Sequence, residues 1–168
     1  MTVFYSPAPR PDDEADRQRA VDHSGFLRAG GDPALADIVR EAAELFGTPM
    51  AAISIVDHDR QWFPAEFGIG ASETPRAASF CAHAMLDADR TMSVPDAAAD
   101  ERFAGNPLVL SGPRIQYYTG TPLIADDGQP LGALCVLGRV RGPMPTDAQI
   151  QALAMLARRA INRAAALR

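Results

Sequence analysis

Apolar residues at Leu35, Ile38, Val39, Ala42, Leu45 and Phe46 recur three and four apart, the spacing of one buried stripe on a helix. Asp32 before Pro33 supplies the N-cap and first turn of that helix, and Gly47 its stop. The period then changes. Residues 50–56 form a short apolar run with Ile53 and Ile55 on one face, and Asp57, His58 and Asp59 turn it into a second strand over 61–67. Within that strand Pro64 lacks a ladder donor, so it is expected at a sheet edge or a bulge. Glycine, serine and proline over 68–75 predict a loop, after which 77–86 returns to helical spacing through Phe80, Ala84 and Met85.

A short strand is expected at 92–94, followed over 96–109 by a helical turn and an irregular flap carrying Phe103, Leu108 and Val109. Segments 115–124 and 131–137 flank Asp126, Asp127, Gly128, Gln129 and Pro130, which predicts a hairpin. Its second strand is apolar on both faces and therefore central. Thr146 with Gln149 three residues later is a capping box opening a last helix that extends to Leu167. Its Ile150, Leu153, Ala157, Ala160, Ala164 and Leu167 stripe either admits a second helix at close range or covers the protein's own sheet. At the other end, residues 1–16 combine prolines with Asp12, Asp13 and Glu14 and are read as a mobile tail, with partner binding through PAPRP as the alternative. A short helix is expected over 17–27, ended by Gly30 and Gly31, so that one domain occupies 17–168. The order of elements predicts an α+β architecture, an antiparallel sheet with helices on one face and loops over the other.

Composition narrows the function. A chain of 168 residues suits one domain. The net charge of −5 gives no basic face for nucleic acid or an anionic membrane. All sixteen basic residues are arginine, which excludes Schiff-base chemistry. Cys81 and Cys135 lie in different elements without a C-x-x-C spacing, so neither a disulfide framework nor structural zinc is expected, and a cytoplasmic setting fits. No stretch approaches the ~20 apolar residues that span a bilayer.

The ordered segments RQWF (60–63), ETPRAASFCAHAML (73–86), VPDAAADERFAGNPLV (94–109), IQYYTGTPL (115–123) and LGALCVLG (131–138) resemble those of a GAF domain. The likeness is to the bacterial subgroup found ahead of histidine kinase and diguanylate cyclase modules, and it extends over 17–167. It implies a sheet of about six strands with the N- and C-terminal helices on one side and a ligand pocket on the other. It also implies a sensory or regulatory module rather than an enzyme, signalling through terminal-helix packing or homodimerisation. The output protein would be reached in trans if the chain stands alone, or attached if it is a fragment.

Family relatives suggest three chemistries. Free methionine-R-sulfoxide reductases use several cysteines, one near the position of Cys81 and an essential one before the fourth strand, where this chain reads Ser111-Gly112-Pro113-Arg114-Ile115-Gln116. The redox-enzyme reading is thus an alternative with an incomplete cysteine set. Phytochrome-type domains attach a bilin through a cysteine that would fall within 96–109, where this chain has none, so no covalent bilin is expected. The Asn-Lys, Phe, Asp-Glu pattern of cyclic-nucleotide binders needs a lysine. Haem or metal ligation would draw on Cys81, His83 and Cys135 without a recognised spacing and is not expected.

A noncovalent pocket for an unidentified small molecule is the better expectation. Its candidate residues are Ser79, Phe80, Cys81 and His83 on the second predicted helix, Arg102, Phe103 and Asn106 on the flap, and Tyr117 or Tyr118 on the fourth strand. Cys81 and His83, two apart on a helix, project in different directions. Strand alternation lets only one of the two tyrosines face the pocket. Arg102 beside Asp100 and Glu101 reads more readily as an exposed ion pair than as a ligand contact, Trp62 reads as a pocket cover or as packing, and the whole module has the alternative of a ligand-free dimerisation domain filled by its own side chains.

Overall fold

A computed structural model describes residues 4–168. Six strands form one antiparallel sheet in the order β3-β2-β1-β6-β5-β4: β1 Met50–Asp57, β2 Arg60–Phe67, β3 Glu73–Pro75, β4 Met92–Val94, β5 Tyr117–Ile124 and β6 Pro130–Gly138. The helices are α1 Glu14–His23, α2 Pro33–Phe46, α3 Phe80–Ala84, α4 Pro107–Leu110 and α5 Asp147–Ala165.

Alternation along the strands sorts the core into two layers. Ala51, Ile53 and Ile55 of β1, Tyr117 and Leu123 of β5, and Leu134 and Val136 of β6 meet the apolar stripes of α2 and α5 on one face. Met50 and Ala52, Tyr118, and Ala133, Cys135 and Leu137 of the same strands meet α3 and the flap on the other. Strand β6 lies between β1 and β5 and is buried along nearly its whole length, as its two-sided apolarity predicts.

The helix caps are those the sequence signals. Asp32 accepts from Leu35 N at 3.1 Å, and it also receives a bidentate contact from Arg163 of α5, at 2.7 and 3.0 Å. Gly47 adopts φ 64 at the end of α2, and Thr146 with Gln149 forms the reciprocal capping box of α5. Pro64 falls at a bulge: Ile53 pairs with Ala65 while Ile55 pairs with Trp62, so one residue of β1 faces two of β2.

Four expectations are corrected. First, α1 begins at Glu14 rather than Arg17 and ends at His23, with a 3₁₀ turn over Phe26–Arg28. Second, the segment before it is no free tail among the described residues, residues 1–3 lying outside them. Ser6 N donates to Arg102 O at 2.9 Å, Gly105 N donates to Phe4 O at 3.0 Å, and Ala8 packs on Val56, Ala82 and Met85. Arg10 is ion-paired with Asp59. Proline content signalled flexibility there, but backbone pairing to the flap holds the segment as a strap. Third, the expected loop at 68–75 contributes β3, paired with Arg60, Gln61 and Trp62. Fourth, α5 ends at Ala165 rather than Leu167; of the two roles open to its stripe, Ala157, Ala160 and Ala164 take the internal one, buried in the core of this same chain.

One charged cluster anchors α1 to the ends of β1 and β6. Arg17 is 0% exposed, pairs with Glu14 at 2.8 Å, and donates to Val56 O at 2.8 Å and Pro130 O at 3.2 Å. Arg76 reaches the same carboxylate and also donates to His58 O at 3.0 Å. Burial pushes the Glu14 carboxyl up, but hydrogen bonds from Arg17 and Arg76 outweigh it and bring the group to about 2.

Candidate functional site

The flap face is where the sheet is covered by irregular chain, and it carries a cavity of about 30 Å³. Strand alternation brings Met50, Gln61, Tyr118, Cys135 and Leu137 to its floor; Phe80 and Cys81 come from α3, and Leu108, Pro113 and Ile115 from the flap. A volume of this size accommodates one or two water-sized molecules. A metabolite would need the flap to move.

The cavity wall is apolar except at two clusters. In the first, Ser54 and Ser79 both donate to Gln61 Oε1, at 2.8 and 2.6 Å, and Gln61 Nε2 donates to Thr74 Oγ1 at 2.7 Å. Ser79 also caps α3 by accepting from Ala82 N at 2.9 Å. In the second, Cys81 Sγ lies 3.0 Å from Tyr118 Oη. The phenol occupies space that exists because position 120 is glycine, since a Cβ there would stand 2.1 Å from Tyr118 Oη. Burial pushes the Cys81 thiol up, while hydrogen bonds from Cys135, Tyr118 and Ser54 outweigh it and lower it. Cys135, its hydrogen bond to Cys81 reinforced by burial, is pushed well above its ordinary value. Burial, with the charges of the two cysteines, does the same to Tyr118. Every buried side-chain nitrogen or oxygen among the described residues has a hydrogen-bond partner.

The sequence candidates divide between lining and support. Phe80, Cys81 and Tyr118 line the cavity. Tyr117 faces the helices, its Oη accepting from Thr119 Oγ1 at 2.9 Å. Phe103 is fully buried and stacks on Phe80 with ring centroids 4.0 Å apart, so it backs the wall. Ser79 and Asn106 are caps: Asn106 accepts from Leu108 N and donates from Nδ2 to Ala78 O at 3.0 Å.

Arg102 is held by Asp100 through contacts at 2.8 and 3.0 Å and lies over the Phe103 ring. His83 points away from Cys81, with Nε2 2.7 Å from Ser6 O on the strap and its ring edge on Phe103. Burial, with the Arg102 charge, lowers its pKa although the Ser6 contact opposes this. Trp62 packs against Gly30 and beneath the Arg60 guanidinium, and is absent from the cavity lining. Sequence reasoning missed Gln61, Ser54 and Cys135. The signal for Ser54 was its place between Ile53 and Ile55, which puts it on the opposite face.

One group of side chains among the described residues has metal-ligand spacing, Asp22, Asp57 and His58. Asp57 in that group already accepts from Gln18 at 2.7 Å and Arg60 at 2.9 Å.

The sequence profile of the GAF domain family matches residues 31–163. The chain belongs to the GAF domain family. Over 137 residues this GAF domain is 47% identical to a cyclic di-GMP phosphodiesterase of Pseudomonas aeruginosa, a match covering 81% of the chain and 23% of that protein. The chain therefore spans less than a quarter of the curated relative it matches. Among solved structures it resembles the GAF domain of Acinetobacter phosphoenolpyruvate-protein phosphotransferase, with TM-score 0.61 and 14% identity over 93% of this chain and 94% of that one. It also resembles the free methionine-R-sulfoxide reductase of Neisseria meningitidis, with TM-score 0.59 and 17% identity over 99% and 96%. At these identities the structures establish the fold. No helix among the described residues is long and apolar enough to cross a membrane.

Proposed function

We propose that this GAF domain is the sensory and regulatory module of a bacterial signalling system, acting on an output such as cyclic di-GMP breakdown rather than performing the chemistry. One observation carries the reading: its 47% identical counterpart makes up 23% of a cyclic di-GMP phosphodiesterase, beside a much larger remainder. The architecture supplies a route. A small molecule that parted the flap from the sheet would bear on Tyr118, Cys135 and Leu137, while Tyr117, Leu134 and Val136 on the same two strands pack against the helix layer. Such a ligand alters signalling to the extent that it binds one helix arrangement more tightly than the other. Phe80, Cys81, Gln61 and Tyr118 would form its walls.

Homodimerisation is part of the proposal. Because the alanine stripe of α5 is used internally, the contact would fall on the outer face bearing Met155, which is 70% exposed. The two unpaired cysteines support a cytoplasmic setting. The redox-enzyme alternative is disfavoured by the cavity wall, to which the loop before β5 contributes Pro113 and Ile115 and no sulfur.

The test is native mass spectrometry on freshly purified, reduced protein, repeated after denaturation, together with an assay for loss of free methionine-R-sulfoxide in the presence of dithiothreitol. A dimer carrying a mass that denaturation removes, with no sulfoxide turnover, is expected. Bare monomer in both spectra would overturn the ligand and dimer readings, and turnover would replace them with the reductase.

A further inference from the structure

The cavity holds two thiols to which the sensor reading gives no chemical role. Cys81 projects from the first turn of α3 and Cys135 from the middle of β6. Tyr118 Oη is 3.0 Å from Cys81 Sγ and fills the space over Gly120, the residue that pairs with Cys135 across the β5–β6 ladder. Cross-strand partners share a face, so Cys135 lies beside that phenol. The two thiols thus stand on either side of one phenol, both in the wall of the same cavity. Both residues are only 2% exposed, yet both line the same cavity.

We propose that Cys81 and Cys135 form a peroxide-responsive dithiol, in which hydrogen peroxide entering the cavity oxidises Cys81 and Cys135 then closes a disulfide between α3 and β6. Cavity size selects the oxidant. About 30 Å³ admits molecules near the size of water, a class that includes hydrogen peroxide and excludes a peptide disulfide such as oxidised glutathione.

The order of events follows from the hydrogen bonds. The thiolate is the reactive form, and the Tyr118 hydroxyl 3.0 Å from Cys81 Sγ is placed to donate to one there. Its sulfur attacks one peroxide oxygen, the O–O bond breaks, and hydroxide leaves as a sulfenic acid forms. The Cys135 sulfur then attacks that sulfenic sulfur. The S–O bond breaks, the S–S bond forms, and the departing hydroxide takes the Cys135 proton as water. Across both steps the dithiol loses two electrons and two protons, and the peroxide becomes two waters. The inference needs only the cavity and the two thiols, and does not depend on the ligand reading.

The experiment exposes the reduced full chain to a small excess of hydrogen peroxide, then alkylates and measures intact mass and a non-reducing peptide map. The expected result is a monomer about 2 Da lighter, with one cross-linked peptide joining Cys81 to Cys135, restored by dithiothreitol. In Cys135→Ser the reaction should stop at Cys81 as a sulfenic acid, about 16 Da heavier and trapped by dimedone added with denaturant. The exposed Met144 and Met155 report that oxidant was present. Thiols that remain fully alkylatable while those methionines oxidise, or cross-links between chains only, would overturn the proposal. The wild-type measurement decides the matter even where a cysteine variant fails to fold.

Discussion

The helix face and the flap face of the sheet are built on the same central strands and packed by different rules. On the helix face, Ile53, Leu134 and Val136 meet two long amphipathic helices that are themselves joined by Asp32 and Arg163. On the flap face, Met50, Cys135 and Leu137 meet a five-residue helix, a four-residue helix and irregular chain, leaving a cavity with a sulfur and phenol cluster at its floor. Regular elements with continuous apolar stripes give one packing solution, whereas short irregular ones leave room for rearrangement. The difference separates a face that holds the fold from one that can answer a small molecule.

Two leucines on one strand offer the largest test of this contrast. Leu134 faces the helices and Leu137 the flap, and both are buried. Leu134→Ala should cost about 4 kcal/mol and Leu137→Ala about 2.5 kcal/mol, because the cost falls where the surroundings can collapse. Urea denaturation midpoints of the two variants measure the gap, and equal losses would break the comparison.

Next in size is the carboxylate that ties α1 to the sheet. Glu14→Gln leaves Arg17 buried with its ion pair gone and should cost about 3 kcal/mol at pH 7. The folded group sits at about 2 against an ordinary 4.5, so its contribution is complete above that ordinary value and is lost as pH falls from there through 2. Urea titrations at pH 7 and pH 3 should therefore show the difference between wild type and variant shrinking in acid. On the helix layer, Asp32→Ala removes a cap and a bidentate ion pair for about 1.5 kcal/mol, visible as a lower melting temperature.

The smallest effect on stability sharpens the contrast most. Tyr118→Phe should change stability by under about 1 kcal/mol, yet it removes a hydrogen bond that lowers the Cys81 thiol. Slower oxidation of Cys81 by hydrogen peroxide near neutral pH, followed by quenching and thiol labelling in denaturant, is the expected readout. An unchanged rate would show that the phenol does not set the thiol.

Much of the helix face was legible in the chain, because Leu35 to Phe46 repeats at helical period and Thr146 with Gln149 marks a helix start by itself. The missing N–H of Pro64 pointed to a sheet edge or a bulge, and the register of β1 and β2 has the bulge. What escaped depends on partners distant in sequence. The strand Glu73–Pro75 is too short to show a period and exists through pairing with Arg60 to Trp62. The strap over Phe4 to Arg10 reads as a tail until its backbone meets Arg102 and Gly105. The alanine stripe of α5 has the same spacing whether it meets its own sheet or a second helix. At the cavity, aromatic and sulfur residues signalled Phe80, Cys81 and Tyr118, whereas Gln61 and Cys135 needed the register of β2 and β6 to be placed there. Arg102, His83 and Asn106 looked like convergent polar groups and instead hold the flap, the strap and a helix end.

Native-state hydrogen exchange, resolved by segment, tests most directly whether one face holds the fold and the other can open. The account predicts that amides of residues 97–116 and of α3 exchange through local openings well below the free energy of global unfolding, while β1, β6, α2 and α5 exchange only with it. Protection of residues 97–116 equal to that of β6 would contradict it.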